Sequence, residues 1–247
     1  MSQWIQGRVV ENKPWGGRLF SLRVAAEIEL FRAGQFSKLG LTIGGEVVAR
    51  PYSLVNAPHE RPLDFYIVEV PDGPLSPQLA ALQPGDEVLV APHSTGALTL
   101  EDTPEGRHLW MIATGTGLGP FLSLIRTGAT WQRFERVVLV HGVRREAELN
   151  YRDTIDQVAA AHPLQFTYIP FVSRESCSFA LPGRIPPAIA DGRLERQAGI
   201  GFSAADSQVM LCGNPEMAED TLNILIARGL KKNHRRDPGQ VSLENYW

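Results

Sequence analysis

Several short runs of the sequence carry residue types suited to gripping phosphate. The first is Gly115-Thr116-Gly117-Leu118-Gly119-Pro120, which follows the apolar run 108–113. Glycines let backbone approach a ligand closely, and a helix start presents unpaired N–H groups to an anion. The chemistry implied is nucleotide-phosphate binding. The spacing departs from the dinucleotide fingerprint G-x-G-x-x-G, because the third glycine comes one position early and Pro120 takes the sixth place. No Gly-Lys-Ser/Thr follows, so the run is not a P-loop. The competing reading is an ordinary tight turn from strand to helix.

The second strand of that half ends His141-Gly142-Val143-Arg144-Arg145, with no acid at its tip. A unit that binds NAD usually places Asp or Glu there, on the ribose hydroxyl. Arg144, and Ser173-Arg174 after the next strand, offer guanidinium forks that suit a 2′-phosphate. For any single arginine, solvation of a loop end is the alternative. Glu146 is placed to start a helix. In the first half, Arg50-Pro51-Tyr52-Ser53 combines a cation, an aromatic face and a hydroxyl. Gly73-Pro74-Leu75-Ser76 offers backbone and hydroxyl donors at a second helix start, which again suits a pyrophosphate.

These runs need elements to position them. Before residue 104, short alternating segments are cut by Pro and Gly: Phe20, Leu22 and Val24; Leu63, Phe65 and Ile67; and the segments 35–41, 46–55 and 86–90. They read as strands of a small barrel or sandwich. One helix interrupts, with Ser76 as N-cap and Pro77 at its first position. After Thr103-Pro104-Glu105-Gly106 the pattern becomes strand, turn, helix. Strands are expected over 108–113, 136–141, 164–172 and 208–212. Helices are expected over 120–126, over 146–161, and from Asn214-Pro215 to Arg228-Gly229. Strands alternating with helices argue for a parallel sheet. The boundary between the halves falls near 100–106, giving units 1–101 and 102–247.

Composition narrows the classes. The 247 residues are 43% hydrophobic and 21% charged, enough for a sizeable core and against extended disorder. Lys+Arg 24 against Asp+Glu 27 gives a net charge of −3, which does not suggest nucleic-acid binding. The 2 cysteines, Cys177 and Cys212, cannot form a disulfide framework, a four-cysteine zinc site or a four-thiolate cluster. The first residues do not read as a signal peptide, and no apolar run approaches about 18 residues. A cytoplasmic protein without membrane or metal is expected.

The order of the motifs is more specific than any one of them. Arg-x-Tyr-Ser, Gly-x-Leu-Ser, Gly-Thr-Gly-x-x-Pro and the Cys-Gly-Asn-Pro-x-Met of 212–217 resemble the ferredoxin–NADP(+) reductase family, above all its bacterial ferredoxin/flavodoxin branch. The similarity spans essentially the whole chain. It implies an antiparallel six-stranded Greek-key barrel that binds FAD, followed by an α/β domain with a parallel sheet that binds NADP. It puts Arg50 on the FAD pyrophosphate, Tyr52 against the isoalloxazine and the Ser53 hydroxyl near flavin N5. Pro51, at the variable position of that motif, removes an N–H donor and stiffens the strand. Tyr66, Ile67, Val68 and Glu69 correspond to the strand beside the flavin and its ribityl chain. Gly73, Pro74, Leu75 and Ser76 correspond to a pyrophosphate cradle.

The same resemblance puts Thr116 at the junction of flavin and nicotinamide, and the NADP pyrophosphate over the turn that contains Gly115 and Gly117. Arg144, Ser173, Arg174 and Arg184 match positions that hold the NADP phosphates. Cys212 matches the family cysteine facing the nicotinamide, compatible with its being a small buried residue at a strand end. Tyr246 and Trp247 match an aromatic terminus that covers FAD, here expected on the adenine side. Plant-type members carry a Glu soon after the methionine of the Cys-Gly motif. Here Met217 is followed by Ala218, Glu219 and Asp220, so that carboxylate's role is not carried over.

The implied activity is FAD-dependent electron transfer between NADPH and a one-electron carrier, an acidic ferredoxin or flavodoxin. Lys231-Lys232-Asn233-His234-Arg235-Arg236 would steer the carrier to a monomeric enzyme. Lacking four cysteines, the chain cannot hold its own plant-type iron–sulfur cluster, so the carrier is a separate protein. The rival readings are an NAD(P)H:flavin reductase, the reductase component of an oxygenase, and a non-enzymatic redox sensor that binds a nucleotide.

Overall fold

The computed structural model describes residues 4–245. The expectation for Tyr246 and Trp247 therefore lies outside the described residues. Alternation of apolar and polar side chains builds the first six strands. They are β1 (Ile5–Gly16), β2 (Leu19–Ala25), β3 (Phe36–Ile43), β4 (Glu46–Ser53), β5 (Leu63–Val68) and β6 (Glu87–Val90), with helix α1 (Ser76–Ala81) between the last two. They form one antiparallel sheet in the order β4-β3-β6-β1-β2-β5. The two edges meet: Leu54 bridges Phe65, and the Val55 N–H donates to the Asp64 carbonyl at 2.9 Å. The sheet thus closes on itself, and Leu22, Val24, Leu39, Phe65, Ile67 and Val90 fill its interior. Leu75 and Leu79, entering and within α1, join the same core.

β1 is a strand that sequence periodicity does not reveal. Along its length only Gly7 and Val9 are buried, and its pairing with β2 is broken at two irregularities. Without a sustained period of two, the run reads as loop.

The second sheet is wholly parallel. Its elements are β7 (His108–Thr114), a 3-10 turn (Gly115–Leu118), α2 (Gly119–Ile125), α3 (Gly128–Arg133), β8 (Arg136–Val143), α4 (Arg152–Ala161), β9 (Phe166–Val172), β10 (Leu181–Pro182), α5 (Ile185–Ala190), α6 (Arg193–Ala198), β11 (Ser207–Gly213), α7 (Pro215–Ala227) and β12 (Val241–Asn245). The order β10-β9-β8-β7-β11-β12 runs outward in two directions from the pair β7 and β11. That pair is a topological switch point, and the crevice beyond its carboxyl ends is where open α/β sheets bind ligands.

One face of this sheet packs on Ile185, Ile189, Leu222 and Leu225 from the helices α5 and α7. The other face joins Leu109, Phe121, Leu139 and Ile155 to Ala33, Val55, Tyr66, Leu98 and Leu100 of the first half. One apolar cluster therefore bridges the two sheets.

Two local expectations are corrected. The segment 146–161 is not one helix. A 3-10 turn covers Glu146–Glu148, Tyr151 takes a left-handed backbone (φ 59), and only then does α4 begin. Ser76 does not cap α1 but is its first residue, and its Oγ accepts the Val70 N–H at 2.9 Å. The start of α7 follows the expected pattern: Asn214 Oδ1 accepts the Met217 N–H at 3.0 Å, and Pro215 follows it.

Candidate active site

A cleft of ≈ 250 Å³ opens between the two halves. Arg50, Pro51, Tyr52 and Ser53 enter it from the end of β4, and Tyr66, Ile67 and Val68 from β5. Val70, Gly73, Pro74, Leu75 and Ser76 close one end, and Thr116 arrives from the turn after β7. All of these but Val70 are residues singled out by the sequence. Val70 carries no motif signal; it shows as a valine left 44% exposed. Glu69 is not among the lining residues; its N–H donates to the Arg18 carbonyl at 2.8 Å.

The cleft offers the donor set a pyrophosphate needs. Leu75 and Ser76 are buried residues and, among the described residues, neither backbone N–H donates to a protein acceptor. Buried N–H groups are rarely left in that state. Gly73 does not add a third, because its N–H donates to the Val70 carbonyl at 2.9 Å. The Ser76 hydroxyl is likewise committed to Val70, so it is not the free donor the sequence suggests. Arg50 is exposed and makes no ion pair among the described residues; one of its N–H groups donates to the Ala49 carbonyl at 2.8 Å. Beside it, burial pushes the Tyr52 phenol up to about 12, against the opposing pull of Arg50. The phenol is therefore neutral at any assay pH and presents an uncharged aromatic face.

The glycine turn assigns a separate task to each of its glycines. Gly115 has φ 53, which glycine alone adopts at no cost. A Cβ on Gly117 would lie 2.5 Å from the Cys212 carbonyl oxygen, so this residue lets the turn rest on β11. A Cβ on Gly119 would lie 3.2 Å from Ser53 Cβ, so this one lets α2 rest on the barrel. The Asn214 N–H donates to Thr114 Oγ1 at 2.8 Å and ties the ends of β7 and β11 together. His141 supports the turn from below, with Nε2 3.1 Å from the Gly115 carbonyl. Complete burial pushes its pKa down to about 4, so it is neutral. The sequence reading quoted His141 only as a strand end.

At the neighbouring strand tips, the Arg174 N–H donates to the Arg144 carbonyl at 2.9 Å and the Ser173 N–H to the Val143 carbonyl at 3.1 Å. Arg184 stands just before α5. Arg144, Ser173, Arg174 and Arg184 are exposed, and among the described residues none of these arginines pairs with a carboxylate. Cys212 is fully buried at the end of β11, beneath the glycine turn, and does not line the cleft. In the basic run, Lys231 pairs with Asp237, while Lys232, Arg235 and Arg236 make no ion pair among the described residues.

Contacts between the halves hold the cleft in shape. Arg126 on the α2 side pairs with Glu60 at 2.6 Å, and Ser123 Oγ donates to the Asn56 carbonyl at 2.8 Å. Asn150 Nδ2 donates to the Tyr66 hydroxyl at 2.8 Å. Of these partners only Tyr66 was singled out by the sequence.

Comparison with known proteins agrees with this geometry. Residues 111–223 match the family described as the oxidoreductase NAD-binding domain. The chain is 45% identical over 248 residues to the flavodoxin/ferredoxin–NADP reductases of Shigella flexneri and Escherichia coli (strain K12), covering 100% of each chain. A crystal structure of a ferredoxin NADP+ reductase from Neisseria gonorrhoeae with bound FAD and NADP is similar over 100% of both chains, with a TM-score of 0.93 at 32% identity. Among the described residues, no helix is long and apolar enough to cross a membrane.

Proposed function

The chain belongs to the flavodoxin/ferredoxin–NADP reductase family, and from that premise we propose how its residues divide the work. The chain is an FAD-containing oxidoreductase that moves electrons between NADP(H) and a ferredoxin or flavodoxin. The observation that carries the reading is the cleft itself. Uncommitted N–H groups, an unpaired guanidinium and a neutral aromatic face from one half meet Thr116 from the switch-point turn of the other.

The residues present fit FAD. Arg50 and the Leu75 and Ser76 N–H groups would hold its pyrophosphate, with Gly73 and Pro74 shaping the bend. Tyr52 would flank the isoalloxazine, and Tyr66, Ile67 and Val68 would wall the ring and ribityl chain, with Glu69 beside them. When bound, FAD would supply hydride exchange with NADPH on one side and single-electron exchange with the carrier on the other.

The protein's own contribution is orientation and exclusion of water. Gly115 and Gly117 bring backbone close to the dinucleotide pyrophosphate. Arg144, Ser173, Arg174 and Arg184 receive its phosphates, the 2′-phosphate on Arg174 and Arg184. Ser53 and Thr116 line the gap between the two rings, and Cys212 shapes the nicotinamide side from within. The units divide at 101/102. The enzyme works as a cytoplasmic monomer, and Lys232, Arg235 and Arg236 steer an acidic carrier.

The test is a visible absorption spectrum followed by anaerobic titration. The purified chain is expected to carry or take up FAD and to be bleached by NADPH far more readily than by NADH. Cytochrome c reduction by NADPH should then require added ferredoxin or flavodoxin. A chain that takes up no flavin overturns the FAD site. A cytochrome c rate independent of the carrier overturns the choice of acceptor.

A further inference from the structure

Behind the flavin wall, the outer face of the barrel is gripped by two consecutive residues of the other unit. On that face β2 and β5 run side by side, with Ser21 opposite Tyr66 and Arg23 opposite Asp64. Asn150 and Tyr151, from the segment before α4, dock here. Asn150 Nδ2 donates to the Tyr66 hydroxyl at 2.8 Å across 84 positions of sequence, with both residues buried. The Tyr151 hydroxyl donates to Asp64 Oδ1 at 3.3 Å and meets Ser21 Oγ, which also accepts the Trp15 Nε1–H at 2.7 Å. The Tyr151 ring stands edge-on to Tyr66 with centroids 5.2 Å apart.

Tyr151 is the one non-glycine residue with positive φ among the described residues, at 59. That conformation persists only where surrounding contacts over-determine it. With it, two neighbouring side chains both reach the barrel. The segment also begins at a strand-tip arginine: the Arg144 N–H donates to Glu148 Oε2 at 2.9 Å.

Tyr66 is both a wall of the cleft and the acceptor of this hydrogen bond, whereas Asn150 does not line the cleft. We propose that Asn150 is a positioning residue for the flavin, fixing Tyr66 so that the barrel's hold on FAD and the flavin's reduction potential depend on a donor supplied by the other unit. The proposal rests on the reading of the cleft as an FAD site. Without the amide, the buried hydroxyl loses its partner and the Tyr66 ring its fixed orientation.

The test uses the full chain loaded with FAD and a cycle of Asn150→Ala, Tyr66→Phe and the double variant. The readouts are the FAD dissociation constant and the flavin midpoint potential, with Tm measured in parallel. Asn150→Ala is expected to raise the FAD dissociation constant about 3- to 10-fold and to shift the potential. In the Tyr66→Phe background the same substitution should change neither readout further, because the hydroxyl it acts through is gone. A purely structural role would lower Tm and weaken FAD equally in both backgrounds. Asn150→Asp keeps the shape and removes the amide donor, and it serves the same comparison if the alanine variant does not fold. Additive effects, or an Asn150→Ala chain with unchanged FAD affinity and potential, would overturn the proposal. A wild-type chain that takes up no FAD would instead overturn the reading beneath it.

Discussion

Gly117→Ala tests whether the glycine turn is held in place by contact with the neighbouring strand. The added Cβ would lie 2.5 Å from the Cys212 carbonyl oxygen, 2.7 Å from the Cys212 carbonyl carbon and 2.7 Å from the Gly213 nitrogen. All three are backbone atoms of β11, which is paired on both sides by β7 and β12. No rotamer change relieves such contacts, so the turn itself must retreat. A retreat of roughly 0.5–1 Å forfeits a quarter to a half of the contact attraction left behind. Overpacking of this kind costs about 1–3 kcal/mol, equivalent to roughly 2–12 °C in Tm for a chain of this size.

The effect on rate should be larger in proportion. Thr116, next in the chain, lines the cleft, and a misplacement of about 1 Å costs on the order of 100-fold in well-oriented reactions. Anaerobic stopped-flow should show flavin reduction by NADPH slowed about 10- to 100-fold, with FAD content close to wild type. Gly119→Ala is the control, since its Cβ would meet the Ser53 side chain at 3.2 Å and Val55 at 3.7 Å, and it should be markedly milder. The reasoning is refuted by a Gly117→Ala chain with Tm within about 1 °C of wild type and an unchanged reduction rate, or by a Gly119→Ala chain that is worse.

Three further outcomes are expected. Arg174→Ala and Arg184→Ala should each raise KM for NADPH about tenfold or more while leaving KM for NADH nearly unchanged; equal effects on both coenzymes would place the 2′-phosphate elsewhere. His141 has a folded pKa of about 4, below its ordinary 6.5, so the unfolded chain takes up the proton first as pH falls. The stabilisation is complete above 6.5 and is lost between 6.5 and about 4, with a total of roughly 3 kcal/mol. Calorimetric Tm across that window should fall less steeply in His141→Gln; an identical slope would show that another group dominates. Tyr151→Phe removes the hydroxyl that Asp64 and Ser21 share, and it should destabilise the chain by about 1–3 kcal/mol in urea denaturation; a value near zero would mean that the ion pair from Arg23 Nε to Asp64 Oδ2, at 3.5 Å, suffices for the buried carboxylate.

How much of this was legible depends on whether a signal was local. Arg50 to Ser53, Gly73 to Ser76 and Thr116 sit in short motifs, and they converge on one cleft although they are far apart in the chain. The odd spacing of the glycine turn also makes sense once each glycine is placed: one serves a positive φ, one the approach to β11 and one the approach to Ser53. β1 was not legible, because a strand with so few buried positions has no clean alternation. The Ser76 cap was misread because a serine before proline signals a helix start without saying whether its hydroxyl is spent elsewhere. The break at Tyr151 and the donors from Asn150, Ser123 and Arg126 depend on partners brought together only by the fold. No spacing rule reaches 84 positions along the chain.

The apolar cluster that joins the two sheets bears on how such enzymes can be recombined. Val55, Leu98 and Leu100 belong to it as fully as Leu109, Phe121 and Ile155 do. Neither half is a cassette that can be cut out and joined to another. Severing them would strip apolar surface from both, so heating should melt the chain in one transition rather than two. A chimera that exchanges barrels between relatives would have to carry along the 149–151 segment and the matching face of α2. Within such a chain, a change of coenzyme or carrier is open to substitutions at the exposed strand tips and the basic turn, whereas exchange of whole units is closed.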